Sequence, residues 1–220
     1  MKQTRELIIA ITALSIFLLS SCKSEAKKQS HDSGEAVEIT SEVSADILTL
    51  NTDESYIEWL GSKPGKDHSG KLYFESGEIR GDKAQGTIQG GTFIIDMNSL
   101  SNDDLTGEMK TNLEDHLKGE DFFHVDKYPT GCFEIASAVA NKEENSYKIT
   151  GNLSIKDVTL SISFNALITE AGGIYQAESE TIILDRTKWG INYGSKNIFK
   201  DLKDSFIEDQ IEIKLHLKTK

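Results

Sequence analysis

From Gln210 to Lys218 every second side chain is apolar. Ile211, Ile213, Leu215 and Leu217 face one way, and Glu212, Lys214, His216 and Lys218 the other. A period of two places alternate residues on opposite faces of an extended chain, so the segment reads as a strand with one dry and one wet face. The pattern recurs in Leu160, Ile162, Phe164 and Ala166, in Phe93, Ile95 and Met97, and in Ile57 with Trp59. It recurs again in Tyr147, Ile149, Leu153 and Ile155, where Gly151 marks a bend or bulge. Phe133 with Ile135, and residues 180–184, read as further short strands. Gly-bearing turns are expected at Ser76-Gly77, Arg80-Gly81-Asp82 and Gly172-Gly173. Many short strands of this kind predict an all-β antiparallel barrel or sandwich. Alternation does not say whether the interior is filled or hollow.

One helix interrupts the strands. Leu105, Met109, Leu113 and Leu117 recur every four residues as an apolar stripe. Ser101 is the expected N-cap, with Asp103 and Asp104 in the first turn, and Lys118-Gly119 the expected end. His116 lies beside the stripe and is expected to turn towards the barrel.

The first 50 residues read differently. Lys2 and Arg5 precede an apolar run from Leu7 to Leu19, whose thirteen residues reach about 20 Å as helix, short of a hydrocarbon core of roughly 30 Å. Residues 1–21 therefore read as a signal peptide rather than a membrane span. Leu19-Ser20-Ser21-Cys22 resembles the bacterial lipobox, which implies that Cys22 is acylated and anchors the chain to a membrane. The resemblance places the protein in the envelope of a Gram-negative-type bacterium. Lys23-Ser24-Glu25 carries no Asp retention signal, which favours the outer membrane. Residues 22–50 hold no aromatic residue and read as a disordered tether; 16 of the 17 aromatics lie between Tyr56 and Phe206, so one domain is expected over 51–220.

The charge balance, 36 acidic against 24 basic residues and net −12, argues against nucleic acid as a partner. It also makes acyl chains, not a basic patch, the expected membrane anchor. Of two cysteines, Cys22 is assigned to lipidation and Cys132 is expected as a small buried residue. No Gly-x-Ser-x-Gly, His-Glu-x-x-His or zinc-type Cys pair occurs, so no catalytic residue, metal or cofactor is assigned. A metal site from His68, His116, His124, Asp121 and Asp126 would need the fold to gather them. His68 is expected in an exposed loop. Asp185-Arg186 reads as a structural ion pair or an Arg fork holding the next loop. His116, Asp121, Phe122 and Phe123 read either as a gate at a barrel mouth or as a helix cap on its rim.

Several motifs, taken together, resemble the YceI family. They are Trp59-x-Gly61-x-Lys63-x-Gly65-x-x-His68-x-Gly70, Gly90-Gly91-x-Phe93-x-Ile95-Asp96-Met97, and His116-Leu117-Lys118-x-x-Asp121-Phe122-Phe123 with Tyr128-Pro129. Gly151-Asn152-Leu153-x-Ile155-Lys156 and Asp185-Arg186-x-x-Trp189-Gly190-Ile191 complete the set, in order over about residues 53–218. The resemblance implies a lipocalin-like barrel of about eight strands, capped by one helix, around an elongated apolar channel for a polyisoprenoid or a quinone-like tail. It implies ligand contacts from Trp59, Phe93, Ile95, His116, Phe122, Phe123, Leu153, Ile155, Phe164 and Trp189. Two positions depart from the family pattern, which has Gly where this chain has Asp115 and Asp157. Asp157 is expected to tolerate a left-handed turn there. The reading that follows is a non-catalytic carrier or sequestering protein for a long apolar lipid. A metal-dependent envelope enzyme and a stress-protective barrel without a lipid are the alternatives. Oligomeric state is not readable from the chain.

Overall fold

The computed structural model describes residues 31, 33–39, 46–82, 87–203 and 205–220. Residues 1–21 and Cys22, which carry the signal and lipidation expectations, lie outside them. The elements in chain order are β1 (Ser33–Glu35), β2 (Asp46–Thr49), β3 (Tyr56–Lys63), β4 (Lys66–Asp82) and β5 (Thr87–Asn102). Then come α1 (Gly107–Lys118), β6 (Thr130–Ala140), β7 (Ser146–Ile155), β8 (Val158–Ala171), β9 (Ile174–Ser179) and β10 (Ile182–Asp185). A 3-10 turn (Arg186–Trp189), a long loop and β11 (Gln210–Lys218) finish the chain.

β3 to β8 pair in sequence as antiparallel neighbours. β9 pairs with β8 on one side and with β11 on the other, and β11 returns to β3, so the sheet closes as an antiparallel barrel of eight strands. Closure removes the free edges that an open sheet would leave. The all-β, lipocalin-like expectation holds, as does the strand over Gln210–Lys218.

β9 covers only part of the β8 edge. Further along, β1 pairs with Leu160–Ile162 of β8, while β10 pairs with Gln210–Ile213 of β11. His31 joins the two: its N–H donates to the Ile183 carbonyl at 2.8 Å, and its Nδ1 accepts the Ile183 N–H at 3.0 Å. Asn152 then clamps the Val37 backbone, accepting its N–H at 2.9 Å and donating to its carbonyl at 2.8 Å. The tether expected to run without structure to residue 50 is thus corrected. Parts of it complete the barrel wall through backbone pairing, which composition does not register, and Leu50 is buried.

Two expected turns are also corrected. Ser76-Gly77 and Arg80-Gly81-Asp82 lie inside β4, at register shifts against β5 between Phe74 and Ser76 and between Arg80 and Gly81. Glycine here serves bulges that bend a long strand, not chain reversal. Gly172-Gly173, both at positive φ, do reverse the chain between β8 and β9. His68 is likewise in β4, paired with Gly61, rather than in a loop. At Gly70 a Cβ would lie 1.8 Å from the Ser101 carbonyl oxygen, so only glycine lets β5 approach this closely.

The helix starts later than expected. β5 continues through Ser101 and Asn102, and Thr106 is the N-cap. Asn102 is fully buried, accepting the Leu105 N–H at 2.8 Å, while its own N–H donates to Glu114 of α1 at 2.7 Å. None of the helix residues is buried, and Met109 is exposed, so the stripe rests on the barrel rim rather than in the core.

Candidate ligand-binding channel

Inward-facing rows of β3 to β9 and β11 line a bore along the barrel axis. Its middle section, a narrow cavity of about 70 Å³, is walled by residues such as Ile57, Phe93, Phe133, Ile149, Phe164 and Leu215. Ser179 is the one polar side chain in that wall, and its hydroxyl is occupied: it donates to the Glu180 carbonyl and accepts the Leu215 N–H. Ile57, Ile95, Leu153 and Ile213 continue into a wider section under α1, a cavity of about 520 Å³. That lies within the ~300–1,000 Å³ typical of small-molecule pockets. At the other end Ile79, Ile88, Ile168, Ala177 and Leu217 lead into a third section of about 220 Å³. Ile211, Ile213, Leu215 and Leu217 line the bore yet remain only half-buried, because they face space rather than packed side chains. The interior is open mainly at its wide end and only narrowly so in the middle, a point that alternation left undecided.

An aromatic cluster sits at the wide mouth. The His116 imidazole meets Phe122 edge-on at 5.4 Å and Tyr193 at 4.6 Å, and Phe122 contacts Phe123 at 6.0 Å. Lys156, at φ 56 in the β7–β8 turn, donates to the Phe122 carbonyl at 3.1 Å. The left-handed residue of that turn is therefore Lys156, not Asp157; the Asp157 carboxylate accepts the Tyr128 hydroxyl instead. Asp115 is exposed.

Arg186 lies at the same end with its guanidinium 5.6 Å from the Phe122 ring. Its donors are committed to backbone: Nε to the Glu208 carbonyl (3.1 Å), Nη1 to Ile191 (2.6 Å) and Nη2 to Ile207 (3.1 Å). Its ionic partner is Asp209 at 3.6 Å, not Asp185. Asp185 caps the 3-10 turn by accepting the Thr187 N–H and hydroxyl. The Arg fork holding the following loop is present, and the Asp185–Arg186 ion pair is not.

His68 also faces the wide section, its Nδ1 2.9 Å from Asp104. Burial raises the Asp104 carboxyl, but the Ser69 N–H, the Asn102 amide and His68 outweigh it and hold the pKa at about 2. Cys132 lies on the outer face of β6, half-buried rather than in the core. Burial and then the Glu134 charge push its thiol up. His68, His116, His124, Asp121 and Asp126 do not converge, and among the described residues no three His, Cys, Asp or Glu side chains are placed to hold a metal ion.

Of the ten residues named for ligand contact, Phe93 and Phe164 line the middle section, and Ile95 and Leu153 line both middle and wide sections. Trp59, His116, Phe122, Phe123 and Ile155 line the wide section. Trp189 lines neither and is corrected to a packing residue: it is fully buried, with its indole N–H donating to the Leu153 carbonyl at 3.1 Å. Sequence reasoning missed Tyr193, Leu184 and Ile207 at the mouth. Tyr193 sits four residues beyond Trp189 and carried no alternation signal.

Residues 48–219 match the family described as the YceI-like domain. Curated relatives include a UPF0312 protein of Pectobacterium atrosepticum, 31% identical over 90 residues, and one of Pseudomonas aeruginosa, 33% identical over 90 residues. Each of these matches covers 37% of this chain and 46% of the relative, so the chain spans about half the length of the curated relatives it matches. Among solved structures, Burkholderia cenocepacia BcnA superimposes with a TM-score of 0.61 at 22% identity, over 78% of this chain and 99% of that one. A polyisoprenoid-binding domain from Saccharophagus degradans, implicated in plant cell wall breakdown, gives 0.59 at 11% identity, over 80% and 99%. At these identities the likeness is one of fold.

Proposed function

The chain belongs to the YceI-like domain family, and from that premise we propose that it binds one long apolar lipid, a polyisoprenoid or a quinone-like tail, without catalysing a reaction on it. The observation that carries this reading is the apolar bore: a cavity of about 520 Å³ at the wide end leads into a narrow middle section whose single polar side chain among the described residues, Ser179, already spends its hydroxyl on two backbone partners. A polar ligand would lose its water there without replacement, whereas each buried CH₂ gains about 0.8 kcal/mol. The tail lies in the bore, and its head group stays at the wide mouth among His68, His116, Tyr193 and Ser205. Native mass spectrometry of gently purified protein tests this. A co-purified prenyl or acyl lipid is the expected result; a bare chain that takes up none from prenyl-lipid micelles would end the proposal.

We further propose an envelope carrier anchored through acylated Cys22. The sequence Leu19-Ser20-Ser21-Cys22 supports this. Cys22→Ser should release the protein from membranes and abolish labelling by a tagged fatty acid; equal labelling of both forms would remove the claim.

A further inference from the structure

The two ends of the bore differ in what surrounds them. At the wide end the loop between the 3-10 turn and β11 exposes Tyr193 (44%), Ile198 (45%) and Phe199 (49%) within seven residues, and Met109 of α1 is exposed at the same end. At the opposite end the exposed apolar residues Ile47, Val139, Leu167 and Ile174 come from four different strands.

The exposed loop is not slack. Arg186 pins its base through the carbonyls of Ile191, Ile207 and Glu208. The N–H groups of Ile198 and Phe199 both bond the carbonyl of Ser195, which is fully buried, at 3.3 and 2.8 Å. Tyr193 and Ser205, on either side of this crest, line the mouth itself. Two large apolar side chains are thus held out at the opening of an apolar bore. Lys200 and Lys203 belong to the same loop as Asp201, while Lys196 is paired with Glu208 at 3.4 Å.

We propose that this loop docks the wide mouth onto a lipid bilayer. Ile198 and Phe199 enter the boundary between head groups and acyl chains, Lys200 and Lys203 meet lipid phosphates, and the apolar chain passes between bilayer and bore without crossing water. The inference rests on the lipid-carrier reading and extends it to the route of loading. The sequence adds a second argument. Eight residues separate Cys22 from His31, and the nine steps between them, at about 3.3–3.6 Å each, span at most roughly 30 Å. An anchor that short keeps the loop at high effective concentration near the surface, so weak insertion suffices.

Single thiols introduced by Ile198→Cys, Phe199→Cys, Val139→Cys and Leu167→Cys, each in a Cys132→Ser background of the full chain, would carry an environment-sensitive fluorophore. With vesicles of phosphatidylethanolamine and phosphatidylglycerol containing a quencher in the acyl region, quenching at 198 and 199 but not at 139 and 167 is expected. Equal exposure of all four labels, or quenching at 139 and 167 instead, would overturn the proposal. In parallel, Ile198→Asp with Phe199→Asp should slow transfer of a fluorescent prenyl chain from vesicles at least ~10-fold while leaving its affinity in detergent unchanged. Unchanged transfer would also overturn it. If the unsubstituted protein takes up no prenyl chain, the carrier reading fails, and the quenching pattern still decides docking.

Discussion

The Tyr193 ring stands edge-on to the His116 imidazole with centroids 4.6 Å apart, so the loop before β11 and the last turn of α1 meet across the wide mouth. The two side chains meet through this ring contact at the mouth. An aromatic pair contributes about 0.5–1.5 kcal/mol beyond burial. Tyr193→Ala should therefore speed release of a bound prenyl chain roughly 2- to 12-fold, measured by dilution of a fluorescent ligand. An unchanged rate would mean that the ligand leaves elsewhere.

Arg186 stabilises the same loop from below. Replacing it with Met removes the partner of Asp209 and leaves the carbonyls of Ile191, Ile207 and Glu208 without their donor. Breaking a buried pair of this kind costs about 3–5 kcal/mol, so urea midpoints should fall accordingly. Arg186→Lys should recover little, because an ammonium cannot fork to carbonyls in three directions.

Asp104 predicts a pH dependence. Its folded pKa of about 2 lies below the ordinary 3.8, so between these values the unfolded chain binds a proton that the folded one does not. Its contribution is full above pH 3.8 and is lost as pH falls through about 2. The difference in melting temperature between the unsubstituted protein and Asp104→Asn should accordingly be constant near neutrality and shrink in that acid window. A gap that persists at pH 2 would point to a role independent of the carboxylate charge.

Leu153 belongs to both the middle and wide sections, so a charge there meets the ligand wherever its tail lies. Leu153→Glu should abolish binding in protein that still melts cooperatively. For the unsubstituted protein, affinity should rise with prenyl length, by about 0.8 kcal/mol for each CH₂ buried, and then level off once the bore is filled. A flat response to length, measured by titration calorimetry, would exclude the bore as the binding site.

Much of the wall was legible in the chain, because side-chain direction in a strand follows directly from alternation. Ile211 to Leu217 and Leu160 to Ala166 point inward as their period of two requires. Their wet faces were legible too, and the structure adds ion pairs there, Lys214 with Glu178 across β11 and β9 and Lys218 with Glu54 of the turn before β3. The helix stripe was visible, but not its start. Residues 101 and 102 obey helical and strand spacing equally well, and the pairing of β5 with β4 decided between them.

By itself, local periodicity determined an all-β antiparallel barrel or sandwich with one helix and an apolar inner face, and the family resemblance implied the barrel. Three things needed the tertiary structure. The bore is open mainly at its wide end because facing rows stop short of one another there, a distance between strands far apart in sequence. His31 and β1 complete the wall because the free edges of β8 and β10 present unpaired backbone to any extended segment within reach, whatever its side chains. Arg186 holds the mouth loop rather than Asp185 because three of its five donors fit carbonyls that the fold brings round from residues 191 to 208.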